Sequence, residues 1–167
     1  MDKRTLLLVI GLILLGGLLI VRKASAIGID YIKSIEQWSN TPYPDQAGFL
    51  TIGWGHKILP GENFTYINED EGEQLLRKDL SETESAINRL VTVPITQNQY
   101  DALVSFVFNI GVSAFAGSTL LKKLNAGDYE GAALEFPRWR YVTVEGEKKE
   151  SAGLLARRET EQNIFTA

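Results

Sequence analysis

Two acidic residues, Glu36 and Asp45, stand nine positions apart on either side of a turn that contains Pro42 and Pro44. Two carboxylates at a fixed separation can hydrolyse a glycosidic bond, because one donates a proton to the leaving oxygen and the other assists the attacking water. An apolar neighbour such as Trp38 would favour the protonated form of one acid. Since the chain has 21 acidic residues, this spacing alone is more typical of two solvated surface acids.

The elements around this pair indicate a helix followed by a small sheet. Asp30 is a plausible N-cap for a helix that ends near Glu36, and the two prolines end it. The run at 49–56 contains Gly53 and Gly55, which permit tight bends between strands. We therefore predict a small antiparallel sheet over 40–59, which must pack against helices to be stable.

The remainder of the chain has a helical pattern. Capping boxes, Asn68 with Glu71 and Thr96 with Gln99, begin two helices. The first continues to about residue 90 and joins the sheet lobe to the rest. The second is apolar nearly all round and is expected at the core of a helical lobe. Shorter helices are predicted at 119–126, 129–136 and 153–165, with a polar, charged loop at 143–151.

Composition excludes several classes of protein. The chain has no cysteine, so disulfides, thiolate zinc sites and thiol nucleophiles are excluded. Residues 1–26 contain four basic and one acidic residues, which leaves 13 basic and 20 acidic residues in the rest. An acidic domain cannot neutralise phosphates well, so we expect no nucleic-acid partner. The length predicts one domain at 27–167, acting as a monomer.

The first 26 residues form a separate segment. Thr5 to Val21 contains no charge and lies between two basic pairs. Its length is at the lower limit of the roughly 17 to 25 residues that cross a bilayer as a helix. This predicts a transmembrane helix in the inner membrane, with the domain facing the periplasm or outer side. The alternative is a signal peptide cleaved after Ala26, because Ala24-Ser25-Ala26 has the small-x-small pattern. Ala24 to Gly28 is expected to be a short join between this segment and the domain.

The stretch from Glu36 to His56 resembles the signature of phage-type lysozymes, the endolysin family of T-even phage lysozyme (glycoside hydrolase family 24). The likeness includes the two acids and the run Thr51-Ile-Gly-x-Gly-His. It continues through Phe-Asn-Ile-Gly at 108–111, Leu-Asn-Ala-Gly-Asp-Tyr at 124–129 and Gly-Leu-Leu-x-Arg-Arg-x-x-Glu at 153–161. One position departs from the family, which usually has Gly where this chain has Gln37.

This resemblance implies a lysozyme-like α+β fold, with a small antiparallel sheet lobe and a larger helical lobe joined by a long helix. It implies a muramidase that cleaves the β-1,4 bond of peptidoglycan by inversion, without a cofactor or metal, for lysis of the host by a phage. Glu36 would be the general acid, and Asp45 and Thr51 would hold the attacking water. Asn109 would hydrogen-bond the sugar chain, and Arg157 would brace the cleft and contact substrate.

Other interpretations stay open at this point. A lytic transglycosylase needs the acid but not the water held by Asp45 and Thr51. A membrane-anchored virion protein could keep the fold to bind cell wall and lack the chemistry. The layout of the chain also resembles endolysins whose N-terminal segment is a signal-arrest-release segment. The family resemblance further implies that His56 is structural and pairs with Asp79. His56 is the only histidine, so a histidine-based triad or multi-histidine metal site is excluded.

Overall fold

The structure, a computed structural model, describes residues 21–45, 48–144 and 146–167. In this part of the chain a sheet lobe and a helical lobe are joined by one long helix, so the predicted α+β class is confirmed. The elements are α1 (Ala26–Ile35), β1 (Ser39–Pro44), β2 (Leu50–Gly53), β3 (His56–Lys57), α2 (Glu69–Leu90), α3 (Gln97–Ile110), α4 (Val112–Ala116), α5 (Thr119–Asn125), α6 (Tyr129–Ala133), a 3₁₀ helix (Phe136–Trp139), β4 (Tyr141–Val144), β5 (Glu147–Glu150) and α7 (Ala152–Thr166).

The sheet lobe is the predicted antiparallel sheet, with strand order β1-β2-β3. Tyr43 pairs with Thr51 across β1 and β2, and Ile52 pairs with His56 across β2 and β3. Gly55, at φ +83°, lies in the tight connection from β2 to β3. Only glycine adopts this left-handed conformation without strain. The turn chemistry read from the sequence therefore sets the shape of this lobe.

The long helix α2 begins where its capping box predicts. The Asn68 side chain accepts the Glu71 N–H at 2.9 Å, and the Glu71 carboxylate accepts the Asn68 N–H at 2.8 Å. Its buried face is mostly apolar, includes Thr83 and Glu84, and packs against both lobes. Because this helix belongs to both packing units, it fixes the sheet lobe relative to the helical lobe.

Two tryptophans seat the sheet lobe on α2. The ring centroids of Trp38 and Trp54 are 4.3 Å apart, and both rings lie over Gly72 of α2. A Cβ at Gly72 would collide with the Trp38 ring. The glycine is required here by close approach, since the tryptophans occupy the space of a side chain.

The core of the helical lobe is α3, as the all-round apolar pattern predicts. Every residue from Tyr100 to Val107 is buried, and the helix contacts α1, α2 and α7. Ser105 and Asp101 are buried polar residues on this helix, and both are hydrogen-bonded. The helix ends at Gly111, which has φ +88°.

Three predicted boundaries are wrong. The first helix begins at Ala26 with Ser25 as its N-cap, not at Asp30. The segment predicted as a polar loop at 143–151 forms most of a β-hairpin, β4 paired with β5. The sixth helix ends at Ala133, and Pro137 lies within the 3₁₀ helix that follows. The hairpin strands are fully exposed, so no buried apolar face marked them in the sequence.

Residues 22–25, which we name the docked segment, are bound to α2 and α3. The Ala24 N–H donates to Glu84 Oε1 at 2.8 Å, and the Ser25 N–H donates to Asp101 Oδ1 at 2.9 Å. The Arg22 carbonyl accepts from the Tyr100 hydroxyl at 2.8 Å. Glu84, Asp101 and the Ala24 side chain are all buried. These residues pack as part of the fold, where the sequence predicted a short join.

Within the described residues, none of the helices combines the length and the hydropathy that a membrane span requires. The predicted transmembrane segment from Thr5 to Val21 lies, apart from Val21, outside the described residues.

Candidate active site

Glu36 caps the C-terminal end of α1. Its backbone is extended at φ −93° and ψ 144°, and its N–H still donates to Ile32 O at 3.0 Å. A carboxylate at this end of a helix is unfavourable, because the helix dipole is negative there. The Arg157 guanidinium offsets this, since Nη1 donates to Glu36 Oε1 at 3.0 Å. The Glu36 side chain is one-quarter exposed and so remains accessible to substrate.

Arg157 is held in place by more than Glu36. Its Nε donates to Glu161 Oε1 at 3.1 Å and its Nη2 donates to the Ser105 carbonyl at 3.1 Å. Ser105 Oγ donates to the same Glu161 oxygen at 2.7 Å. Because Glu161 is fully buried, the guanidinium is fixed from behind and only its far side reaches the acid. The structure thus places Arg157 directly against Glu36, 121 residues away in sequence.

Asp45 lies in the turn after β1, and Phe49 fixes its backbone and one carboxylate oxygen. The Asp45 N–H donates to Phe49 O at 2.8 Å, and the Phe49 N–H donates to Asp45 Oδ1 at 2.8 Å. Lys57 Nζ lies 4.0 Å from Oδ2. The carboxylate is therefore oriented by the turn and faces a cation on β3.

Thr51 is buried on β2, and its hydroxyl donates to Phe49 O at 3.1 Å. Asp45 follows directly after the last pair of the β1–β2 register, Pro44 with Leu50. Its N–H donates to the same Phe49 carbonyl that accepts from the Thr51 hydroxyl. This shared carbonyl ties the threonine and the aspartate to one turn.

The tryptophan expected to surround the acid packs elsewhere. Trp38 and Trp54 pack against each other and against α2, where they join the lobes. Phe49 is 57% exposed, with Lys57 Nζ 4.3 Å from its ring centroid. The immediate partner of the Glu36 carboxylate is thus a buried guanidinium and not an aromatic ring.

Asn109 lies in the last turn of α3 and is exposed. It lines a groove of about 540 Å³ between the helical lobe and the β4–β5 hairpin. Trp139, Tyr141 and Lys148 line the same groove. Tyr141 is 44% exposed, so its ring is available to a ligand. The Asn109 Oδ1 accepts from Arg158 Nη2 at 2.7 Å.

His56 has a structural position in the sheet lobe. Its Nδ1 lies 2.9 Å from both carboxylate oxygens of Asp79, which was the expected partner, and its Nε2 lies 2.9 Å from Glu62 Oε2. Burial raises the pKa of Asp79. The pKa of Glu62 is lowered to about 2, most by the hydrogen bond from the Leu59 N–H and less by those of Lys78 and His56. The ring links α2 to the loop after β3.

Glu161, Ser105 and Arg158 support the site but were not among the site residues predicted from the sequence. The signal for Glu161 is its spacing, since it lies three and four residues after two consecutive arginines and so meets both on the inner side of α7. No sequence signal identifies Ser105, which reads as one polar position in an apolar helix. In the described ranges, no group of three or more His, Cys, Asp or Glu residues is arranged to hold a metal ion.

Comparisons with known proteins agree with this geometry. The family profile described as phage lysozyme matches residues 33–161. An endolysin of Acyrthosiphon pisum secondary endosymbiont phage 1 is 42% identical over 140 residues, which cover 83% of this chain and 94% of the relative. A SAR-endolysin of Escherichia phage Mu is 46% identical over 131 residues, covering 78% of this chain and 74% of the relative. The muramidase domain of SpmX from Asticaccaulis excentricus superposes with a TM-score of 0.81 at 36% identity, covering 87% of this chain and 99% of that domain.

Proposed function

The chain belongs to the phage lysozyme family and is a peptidoglycan hydrolase of the endolysin type, and we propose that Glu36 is its general acid. The observation that carries this proposal is the position of Glu36, at the end of α1, accessible and held by Arg157. A general acid must meet the glycosidic oxygen in one orientation. Arg157 supplies that orientation, because its own position is fixed by the buried Glu161.

Asp45 and Thr51 complete the proposed reaction. Asp45 accepts a proton from a water molecule as it attacks the anomeric carbon, and Thr51 orients that water from the other side. Their shared contact with the Phe49 carbonyl at the β1–β2 turn supports this assignment. Hydrolysis then takes one step with inversion, since the water enters opposite the leaving oxygen that Glu36 protonates. No cofactor is needed, because the two acids provide the proton transfers.

The proposed substrate bond is the β-1,4 linkage between N-acetylmuramic acid and N-acetylglucosamine. Asn109 would hydrogen-bond the glycan in the groove beside the hairpin, and Arg157 would contact it next to Glu36. The order and spacing of the motifs support a finer placement with T-even phage lysozyme in glycoside hydrolase family 24. We propose that the enzyme acts on peptidoglycan as a monomer.

The products of digestion test this mechanism. An inverting hydrolase releases reducing ends of the α anomer from a β-linked glycan, whereas a lytic transglycosylase releases 1,6-anhydro ends. We expect α reducing ends by NMR within the first minutes of digestion. Asp45→Ala should lower the rate of their release by ~100-fold or more, because it removes general base assistance. Anhydro products that persist in Asp45→Ala would establish the transglycosylase, and no product from the wild-type protein would establish a wall-binding protein.

We propose that residues 5–21 hold the chain in the inner membrane, with the domain on the periplasmic side, until the segment is released. The charge-free run between basic pairs supports this, and one relative carries the name SAR-endolysin. The docked segment favours release over cleavage after Ala26, since cleavage would remove the Ser25 cap and the partners of Glu84 and Asp101. N-terminal sequencing of membrane and soluble fractions tests this. An intact Met1 in both supports release, and a start at Ile27 contradicts it.

A further inference from the structure

Arg158 is a fully buried guanidinium behind the wall of the groove. Its Nη2 donates to Asn109 Oδ1 at 2.7 Å, its Nε lies 3.2 Å from Glu161 Oε2, and it stacks 5.0 Å from the Phe106 ring. Its Nε and Nη1, like Glu161 Oε2, are buried and make no hydrogen bond among the described residues, so the approach of Nε to Oε2 is an ion pair only. Burial lowers the pKa of Arg158 and raises that of Glu161. A buried ion pair with an unsatisfied donor adds little net stability, so this arrangement calls for another role.

The contact with Arg158 determines which way the Asn109 amide faces. A guanidinium has donors only, so the atom that meets it must be the carbonyl Oδ1. The amide Nδ2 then points away from Arg158 with two N–H donors. No residue in the described part of the chain accepts a hydrogen bond from it. Because Asn109 is exposed and lines the groove, these donors are available to a ligand. If the Asn109 amide were rotated by 180°, its N–H groups would face the N–H groups of Arg158.

We propose that Arg158 is a positioning residue that presents the Asn109 N–H donors to the groove, where they bind the acetamido carbonyl of a peptidoglycan sugar. This inference rests on the proposed function. A sugar hydroxyl can pair with either end of an amide, since it both donates and accepts. A carbonyl oxygen only accepts, so it alone requires the fixed orientation. Trp139, on the same groove, offers an apolar surface for the acetyl methyl group.

Glu161 connects this positioning to the catalytic acid. One of its oxygens pairs with Arg157, which holds Glu36, and the other pairs with Arg158, which holds Asn109. Two consecutive arginines on α7 thus share one buried carboxylate and face two different parts of the site. The distance between the acid and the acetamido contact is therefore set by a single buried cluster.

The test compares cell walls with intact and with chemically removed N-acetyl groups. The wild-type protein should digest the acetylated walls ~10-fold faster, the ratio expected for one hydrogen bond. Asn109→Asp keeps an oxygen for Arg158 but loses both donors, so the ratio should fall to about one. Asn109→Leu, which adds no charge, should give the same loss. Arg158→Met, which removes the donor to Oδ1, should reduce the preference.

The outcomes separate this inference from the function on which it rests. A preference for acetylated walls that survives in both Asn109 variants would overturn the inference. Failure of the wild-type protein to digest acetylated walls would refute the proposed function instead. Glycan strands freed of stem peptides provide a further arm. The preference should persist on them, and its loss would show that the carbonyl belongs to the peptide and would overturn the acetamido assignment.

Discussion

Removal of residues 22–26 should destabilise the domain strongly. Two chains, one beginning at Arg22 and one at Ile27, differ by the docked segment and the first residue of α1. Loss of Ser25 removes the N-cap of α1, which costs about 1 kcal/mol. It also removes the N–H and the hydroxyl that donate to Asp101, while loss of Ala24 removes the N–H that donates to Glu84.

Hydrogen bonds to charged groups contribute roughly 1.5–3 kcal/mol each, so three of them give about 4–9 kcal/mol. Both carboxylates regain some contact with water when the segment leaves, and we therefore take the lower end. The ion pair of Lys23 with Glu84 adds little, because the Lys23 side chain is 61% exposed. With the cap, the expected loss is about 5 kcal/mol. This is a large fraction of the roughly 5–15 kcal/mol that stabilises a domain.

Thermal unfolding measured by circular dichroism checks this estimate. At about 2–4 °C per kcal/mol for a domain of this size, the chain beginning at Ile27 should melt at least ~10 °C lower. Asp101→Asn in the full chain is a matched control, since it keeps the segment and weakens the Ser25 bonds together with the Gln97 Nε2 bond to the same carboxylate, and it should give a smaller decrease. Equal melting temperatures for the two chains would refute the reasoning and would restore cleavage after Ala26 as an equal alternative.

Two further predictions concern charged side chains, Arg157 and Glu62. Arg157→Met removes a guanidinium that is 10% exposed and leaves Glu161 underpaired. Urea denaturation should show a decrease of about 3 kcal/mol in the free energy of unfolding, and wall digestion should also fall. A decrease under about 1 kcal/mol would contradict the buried pairing. Glu62 has a pKa of about 2 in the fold against 4.5 ordinarily, so its stabilisation is complete above about pH 4.5 and is lost as the pH falls towards 2. Glu62→Gln should therefore lose less stability than the wild-type protein across that window in acid titrations, and parallel curves would disprove this role for Glu62.

The parts of the fold that depend on local sequence were predictable. The capping boxes at Asn68 and Thr96 are complete within four residues, and both helices begin where the pattern indicates. The glycines of the sheet lobe act through their own backbone conformations, which the sequence also reveals. These features need no knowledge of the rest of the chain.

The errors arise where partners are distant. Ser25 rather than Asp30 caps α1, and Ser25 is held by Asp101, 76 residues away. The sequence predicts a loop where the hairpin forms, because both strands are exposed on both faces. Such strands lack the alternation of apolar and polar residues that marks a half-buried strand. The contact of Arg157 with Glu36 spans 121 residues, and the family resemblance suggested only that Arg157 braces the cleft and contacts substrate.

Digestion of purified cell walls by the wild-type protein and by Glu36→Gln tests the central claim most directly. Glutamine matches the shape of glutamate and can still accept the Arg157 hydrogen bond, but it cannot donate the proton of a carboxylic acid. We expect wall clearing to fall at least ~100-fold, since general acid catalysis contributes roughly 10²–10⁴-fold. The melting temperature should be nearly unchanged, because the side chain is partly exposed. Equal clearing by the two proteins would contradict the assignment of Glu36 as the catalytic acid.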